Sequence, residues 1–331
     1  MSRDDITWRD GERTITFGRG AVDHVPVALD QAGWGEYDLL STSRALARAP
    51  VALREDARQV YEVPPGPVNE IAAELFDSVS AHSLVALGGG RVVDTAKAIA
   101  AVRGGQVAAI PTTLSGAEMT SIHKLPDGHE ADELVRPVLV FADPDEMTTQ
   151  DEPERRASAM NALAHAADCL YTPLAHPVSR LAALEGARLI AAGLDDSDRR
   201  RDLALGSLLA GYAIDSALFS LHHVICQSLV RVLRTPHAET NAAILPRVVE
   251  ALIPRVPDDM TALAGALDTD CEGLVTRIED LAGGRRALGE IGADREKLDN
   301  ALNAIEGREE LAMTPDKPDR DELRQIVESA W

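Results

Sequence analysis

The feature that most limits what this chain can fold into is a change of texture near residue 150. Before it, short apolar segments alternate with amphipathic ones. After it, β-branched runs almost disappear and Ala and Leu dominate. The first part carries "RTITFG" (13–18), "YDLLST" (37–42), "SLVALGGG" (83–90), "VAAIPTT" (107–113) and "PVLVFADP" (137–144), each of strand length. Between them, "VNEIAAELFDSVSA" (68–81) spaces Ile71, Leu75 and Val79 along one helix face. Strands that alternate with helices require a parallel sheet covered on its faces. The second part reads as helix in "DEPERRASAMNALAHAADCLY" (151–171), "SRLAALEGARLIAAGL" (179–194), the run 201–233 and "HAETNAAILPRVVEAL" (237–252). The expected architecture is an α/β nucleotide-binding domain with a parallel sheet over residues 1–150. An all-helical domain follows over 151–331, with an active site in the cleft between them. No internal repeat interrupts either half.

In "SLVALGGGRVVDTAKAIAA", Gly88, Gly89 and Gly90 stand between a strand and a helix. Glycines there allow positive φ and close approach to a ligand, and the helix start offers free N–H groups to an anion. The pattern is neither a Walker A loop nor GxGxxG, so alone it leaves a plain βα turn equally open. "AIPTTLSGAEMT" changes the balance. It sets Thr112, Thr113 and Ser115 at the end of the next strand, on the sheet edge where ligands bind in α/β folds. The two loops together point to a phosphate-bearing dinucleotide.

Charge and cysteine content narrow the partners. A formal net charge of −21 repels a phosphate backbone, which argues against nucleic acid. No run of 18 apolar residues suggests a membrane span, and the charged start "MSRDDITWRD" does not read as a secretory signal. Cys169, Cys226 and Cys271 are odd in number and far apart, as expected of reduced, buried thiols in a cytoplasmic protein.

The stretch "LHHVICQSLVRVLRTPHAETNAAILP" (221–246) holds His222, His223 and His237 in apolar surroundings. Asn161 and His165, four apart in "MNALAH", share a helix face. Three imidazoles from different helices of one domain can meet at iron or zinc, although spacing alone makes this no more than permitted. His176 has no supporting pattern and reads as structural.

Taken in order, "GGGRVVDTAKAIA", "PTTLSGAEMT", "MNALAHAADCLY" and "HHVICQSLVRVLRTPHAETNAAILP" resemble the iron-containing alcohol dehydrogenase superfamily, and within it the maleylacetate reductase branch. The architecture is also similar to that of dehydroquinate synthase. The resemblance implies NAD or NADP as cofactor, hydride transfer to a carbonyl and commonly a homodimer. By that resemblance, Gly88, Gly89, Gly90, Asp94 and Lys97 match the pyrophosphate segment, and Thr112, Thr113 and Ser115 the second cofactor loop. Ser41 and Thr42 lie toward the adenosine end, and Asn161, His165, His223 and His237 fall on the metal positions. No acidic residue follows "LLST" at once, so NADH and NADPH both stay open.

Two departures from the family pattern bear on chemistry. Asn161 replaces a metal-binding aspartate, and an amide oxygen is the weaker ligand, so bound Fe or Zn is not assured. Gln227 replaces a histidine of the proton path; glutamine donates hydrogen bonds but does not titrate. His222 points about 100° away on an ideal helix and is a poor substitute. A smaller departure is Ala117, where the family has serine. The leading expectation is an NAD(P)H-dependent reductase of a small, anionic oxo acid, with His165, His223, His237 and Gln227 as catalytic residues. Anion contacts are sought at His123, Lys124 or Arg247. Two alternatives stand beside it: a non-redox lyase, dehydratase or cyclase on the same scaffold, and a non-catalytic nucleotide-binding partner.

Overall fold

A computed structural model describes residues 6–331. The chain forms two compact units, one ending at Gln150 and the other Asp151–Trp331. The first is built on a seven-stranded sheet of β1 (Ile6–Asp10), β2 (Arg13–Phe17), β3 (Asp38–Ser41), β4 (Gln59–Glu62), β5 (Ser83–Gly88), β6 (Gln106–Pro111) and β7 (Leu139–Ala142). The spatial order is β1-β2-β7-β6-β5-β3-β4. Neighbours from β2 to β4 are all parallel, and β1 pairs antiparallel with β2 at the edge.

β5 and β6 lie side by side near the middle, which explains their unbroken apolar sequence. Leu84, Ala86, Val107 and Ala109 face a core with Ile71, Val93, Ala96 and Ile99. Val85, Leu87, Ala108 and Ile110 face the opposite core with Leu29, Leu39, Leu53 and Phe141. A period of two serves both faces, so every position of a central strand must be apolar. Each large aliphatic side chain buried there contributes about 2 kcal/mol.

Some elements differ from the sequence reading. The helix expected over 68–81 ends at Phe76. Beyond it, the Asp38 carboxylate accepts the N–H groups of Ser80 and Ala81, both at 3.0 Å, which turns the chain toward β5. β1 and β4 were not legible as strands. The helical run 201–233 is two helices, Arg200–Ala217 and Leu221–Leu233, bent by 99° at the break. Leu218 sits there with φ 58 and ψ −172, a conformation an L-residue adopts only when its surroundings force it.

At the heart of the second unit is the helix Glu152–Asp168, capped at its start by the Asp151 side chain and buried from Ala157 through Asp168. It packs against the helices Pro177–Asp195, Arg200–Ala217 and His237–Leu252. His176 is structural: its Nδ1 accepts the Ser179 N–H and caps the helix Pro177–Asp195. Cys169 and Cys226 are buried thiols, whereas Cys271, expected to be buried, is only partly so. Among the described residues, no single helix is long and apolar enough to cross a membrane.

Candidate active site

At the C-terminal ends of β3, β5 and β6 the first unit carries a cleft of about 290 Å³ that brings together Thr42, Gly89, Gly90, Thr112 and Thr113. The glycines are there for a different reason from the one expected. None of Gly88, Gly89 or Gly90 has positive φ; Gly89 sits at −76. What excludes a side chain is packing. A Cβ on Gly89 would meet Thr113 Cγ2 at 2.8 Å, one on Gly90 would meet Ser115 Cβ at 2.9 Å, and one on Gly88 would meet Val92 Cγ2 at 2.6 Å. The two loops are therefore pressed together. The helix Gly90–Arg103 starts with no side-chain cap, which leaves backbone N–H groups to an anion. Arg44, Arg48 and Arg91 line the same cleft. Arg48 is held in a fork by Glu146, at 2.9 and 3.0 Å.

The remaining expected cofactor residues are engaged inside the fold. Ser41 Oγ donates to Leu87 O at 2.7 Å and ties β3 to β5. Ser115 Oγ accepts the Ala117 N–H at 3.3 Å. Lys97 is fully buried, and its ammonium donates to Asp94 Oδ1 at 2.8 Å, to Ala117 O and Ile122 O at 3.0 Å, and to Thr120 Oγ1 at 3.4 Å. It is an internal strut for the loop after β6.

The second unit assembles the imidazoles. His165 and His223 stack with ring centroids 4.9 Å apart, and His222 meets His223 edge-on at 5.0 Å. His237, exposed at the start of the helix His237–Leu252, is near enough for its charge to act on His165 and His222. Burial holds His165 well below the ordinary imidazole range, so the ring is neutral. Burial also takes His222 down to about 3, and its Nε2 lies 3.4 Å from Cys226 Sγ, turned away from any relay. Asn161 Nδ2 lies 3.4 Å from His165 Nε2.

The residue that organises this cluster, Asp168, escaped sequence reasoning. It is completely buried, and its carboxylate accepts five donors. These are the N–H groups of Ser220 (3.2 Å), His222 (3.3 Å) and His223 (3.1 Å), the His223 Nδ1–H (2.8 Å), and the Tyr171 hydroxyl. Burial by itself would raise its pKa, but the hydrogen bonds from His223 and Tyr171 hold it down to about 2. Asp168 thereby caps the helix Leu221–Leu233 from outside and creates the break before it. Its one signal in the sequence was a lone carboxylate three residues after His165, at the end of a helix stretch that is otherwise apolar.

Ligand-capable atoms of Asp168, His222 and His223 lie within 4.8 Å of one another. With its oxygens committed to five donors, Asp168 supports the site and does not coordinate in it. The His223 Nδ1–H points at Asp168, and the other ring nitrogen, Nε2, is buried without a hydrogen-bond partner among the described residues. His165 Nδ1 is in the same position. Buried imidazole nitrogens without a hydrogen-bond partner fit a borderline cation such as iron or zinc.

Residues 12–144 match the family profile described as iron-containing alcohol dehydrogenase, and residues 156–331 match the C-terminal profile of the Fe-containing alcohol dehydrogenase family. The chain belongs to the iron-containing alcohol dehydrogenase family. It is 32% identical to maleylacetate reductase 1 of Rhodococcus opacus, over 96% of this chain and 94% of that one. It is equally identical to a maleylacetate reductase of Burkholderia cepacia, over 96% and 95%. The solved maleylacetate reductase of Rhizobium sp. strain MTP-10005 superposes with a TM-score of 0.83 at 25% identity, covering 99% of this chain and 98% of that one. This member of the iron-containing alcohol dehydrogenase family is an oxidoreductase of the maleylacetate reductase branch.

Of the sequence-based candidates for anion contact, His123 Nε2 accepts the Val135 N–H at 3.1 Å, and Arg247 is paired with Glu279 and, at 3.5 Å, Glu250. Both are committed to the fold, and Lys124 is exposed. Gln227, one turn beyond His223, accepts a hydrogen bond from Arg308 Nη2 at 3.0 Å. Neither that contact nor Arg308 was foreseen.

Proposed function

We propose that the chain is an NAD(P)H-dependent reductase of a small, anionic oxo acid, similar in reaction to the maleylacetate reductases. The observation that carries this reading is the pair of buried, stacked imidazoles, His165 and His223, each with a ring nitrogen that has no hydrogen-bond partner among the described residues and is placed to meet an electron-poor centre or a carbonyl oxygen. A dinucleotide suits the glycine cleft of the first unit, with its uncapped helix start, threonine hydroxyls and arginines. When bound, the reduced nicotinamide supplies hydride, and a cation held by Asn161, His165, His223 and His237 supplies Lewis acidity.

The remaining work falls to the chain's own groups. Asp168 fixes His223 in the Nδ1–H tautomer, so that Nε2 meets the substrate side as an electron-pair donor. His165 and His223 are buried, and that low-dielectric setting strengthens every electrostatic contact with a developing oxyanion. His222, occupied with Cys226, has no part in moving a proton to the product. The reading includes a homodimer, for which light scattering is the check, and cytoplasmic residence, for which three unpaired thiols argue.

The deciding experiment follows absorbance loss from NADH and from NADPH with maleylacetate and a panel of other oxo acids. Oxidation of the cofactor in proportion to carbonyl consumed supports the reading. A folded protein that consumes reduced cofactor with none of them refutes it.

A further inference from the structure

The position where the family's proton-path histidine stands is rebuilt in this chain. Gln227 Oε1 accepts from Arg308 Nη2 at 3.0 Å, and Glu310 grips the same guanidinium at 2.8 and 2.9 Å. Arg308 also lies over the Phe219 ring, 5.9 Å from its centroid, and Phe219 in turn lies 5.7 Å from His223. A guanidinium only donates, so the face of the Gln227 amide turned to Arg308 must be its oxygen. The amide nitrogen is thereby directed the other way, with two N–H groups for which no acceptor exists among the described residues. Hydrogen bonding to Arg308 also polarises the amide, which makes those N–H groups better donors. Gln227 shares a helix face with His223, four residues earlier.

We propose that Gln227 is a substrate-binding residue, a donor of fixed orientation to a carboxylate oxygen of the oxo acid, and that Arg308 is its positioning residue. An anionic oxygen is the acceptor that gains most from a polarised donor in a half-buried setting. In place of a group that moves a proton, the chain has one that selects a charged substrate. This rests on the reductase reading above. The experiment therefore includes a measurement that needs no turnover.

Gln227→Glu is the informative substitution. It keeps an acceptor for Arg308, so the fold is retained, but it turns a carboxylate toward the substrate. In steady-state assays of the full-length protein, KM for the oxo acid rises about 30-fold while kcat changes less than about 3-fold, and KM for its neutral methyl ester stays within about 3-fold. Arg308→Leu frees the amide to rotate and raises KM for the acid about 10-fold. Maleate, an unreactive dicarboxylate, raises the thermal midpoint of the wild-type protein and not that of Gln227→Glu. Equal changes in KM for acid and ester, or maleate stabilising both proteins alike, overturn the proposal. If no carbonyl is reduced yet maleate protects only the wild type, the reductase reading fails and the donor assignment stands.

Discussion

Asp168 Oδ2 accepts the Nδ1–H of His223 at 2.8 Å, across 55 positions of sequence, and so decides which nitrogen of that ring can do chemistry. The same carboxylate holds three backbone N–H groups at the start of the helix Leu221–Leu233, so the cluster and the helix break share a single anchor.

Asp168→Asn loses the charge while keeping the shape. Removing one partner of a buried hydrogen-bonded pair costs about 3 kcal/mol, to be read from urea unfolding. Long-range 1H–15N spectra of the histidines should show His223 leaving its single Nδ1–H tautomer. The pH dependence has a definite sign. The folded-state pKa of about 2 lies below the ordinary 3.8, so this stabilisation is present above about pH 4 and is lost as pH falls toward 2.

Glu118 acts in the opposite direction. It is fully buried, neither carboxyl oxygen has a hydrogen-bond partner among the described residues, and burial pushes it to about 7 against the pull of Lys97 and Arg13. The carboxyl stays neutral in the fold up to about pH 7, so its stabilisation is full below about pH 4.5, is lost as pH rises from there to about 7, by roughly 3 kcal/mol in all, and then levels off. Glu118→Gln should flatten that decline in denaturant midpoints measured from pH 5 to 8.5. An unchanged slope means that Glu118 is not its source.

Gly89→Ala tests the cofactor cleft. The added methyl would stand 2.8 Å from Thr113 Cγ2 and must push the two loops apart. Titration of dinucleotide by protein fluorescence should show an affinity loss of about 10-fold or more, with under about 2 kcal/mol lost in stability. Full retention of affinity would remove this turn from the binding site.

Lys97→Met separates a strut from a ligand. Four oxygens lose their shared donor, and a stability loss of about 3 kcal/mol is expected with no dinucleotide present. Calorimetry of the cofactor-free protein measures it. A variant that keeps full stability and loses only dinucleotide affinity would return Lys97 to the pyrophosphate.

The sequence by itself determined the parallel sheet, the helical second half and the loops "GGG" and "PTTLSG", because these follow from local periodicity and turn chemistry. It also placed His165, His223 and Gln227 at helical spacings that a single element dictates. It showed the run 201–233 as helical but not the break within it, since the break depends on a carboxylate some 50 residues upstream that no local pattern reveals. It assigned Lys97 to a phosphate, although only packing shows that ammonium surrounded by oxygens of its own fold. Tertiary structure alone brought Asp168 to His223 and Arg308 to Gln227. Burial strengthens such polar contacts and makes an unpaired group costly, so long-range partners, which spacing does not encode, decide what each titratable or amide group can do.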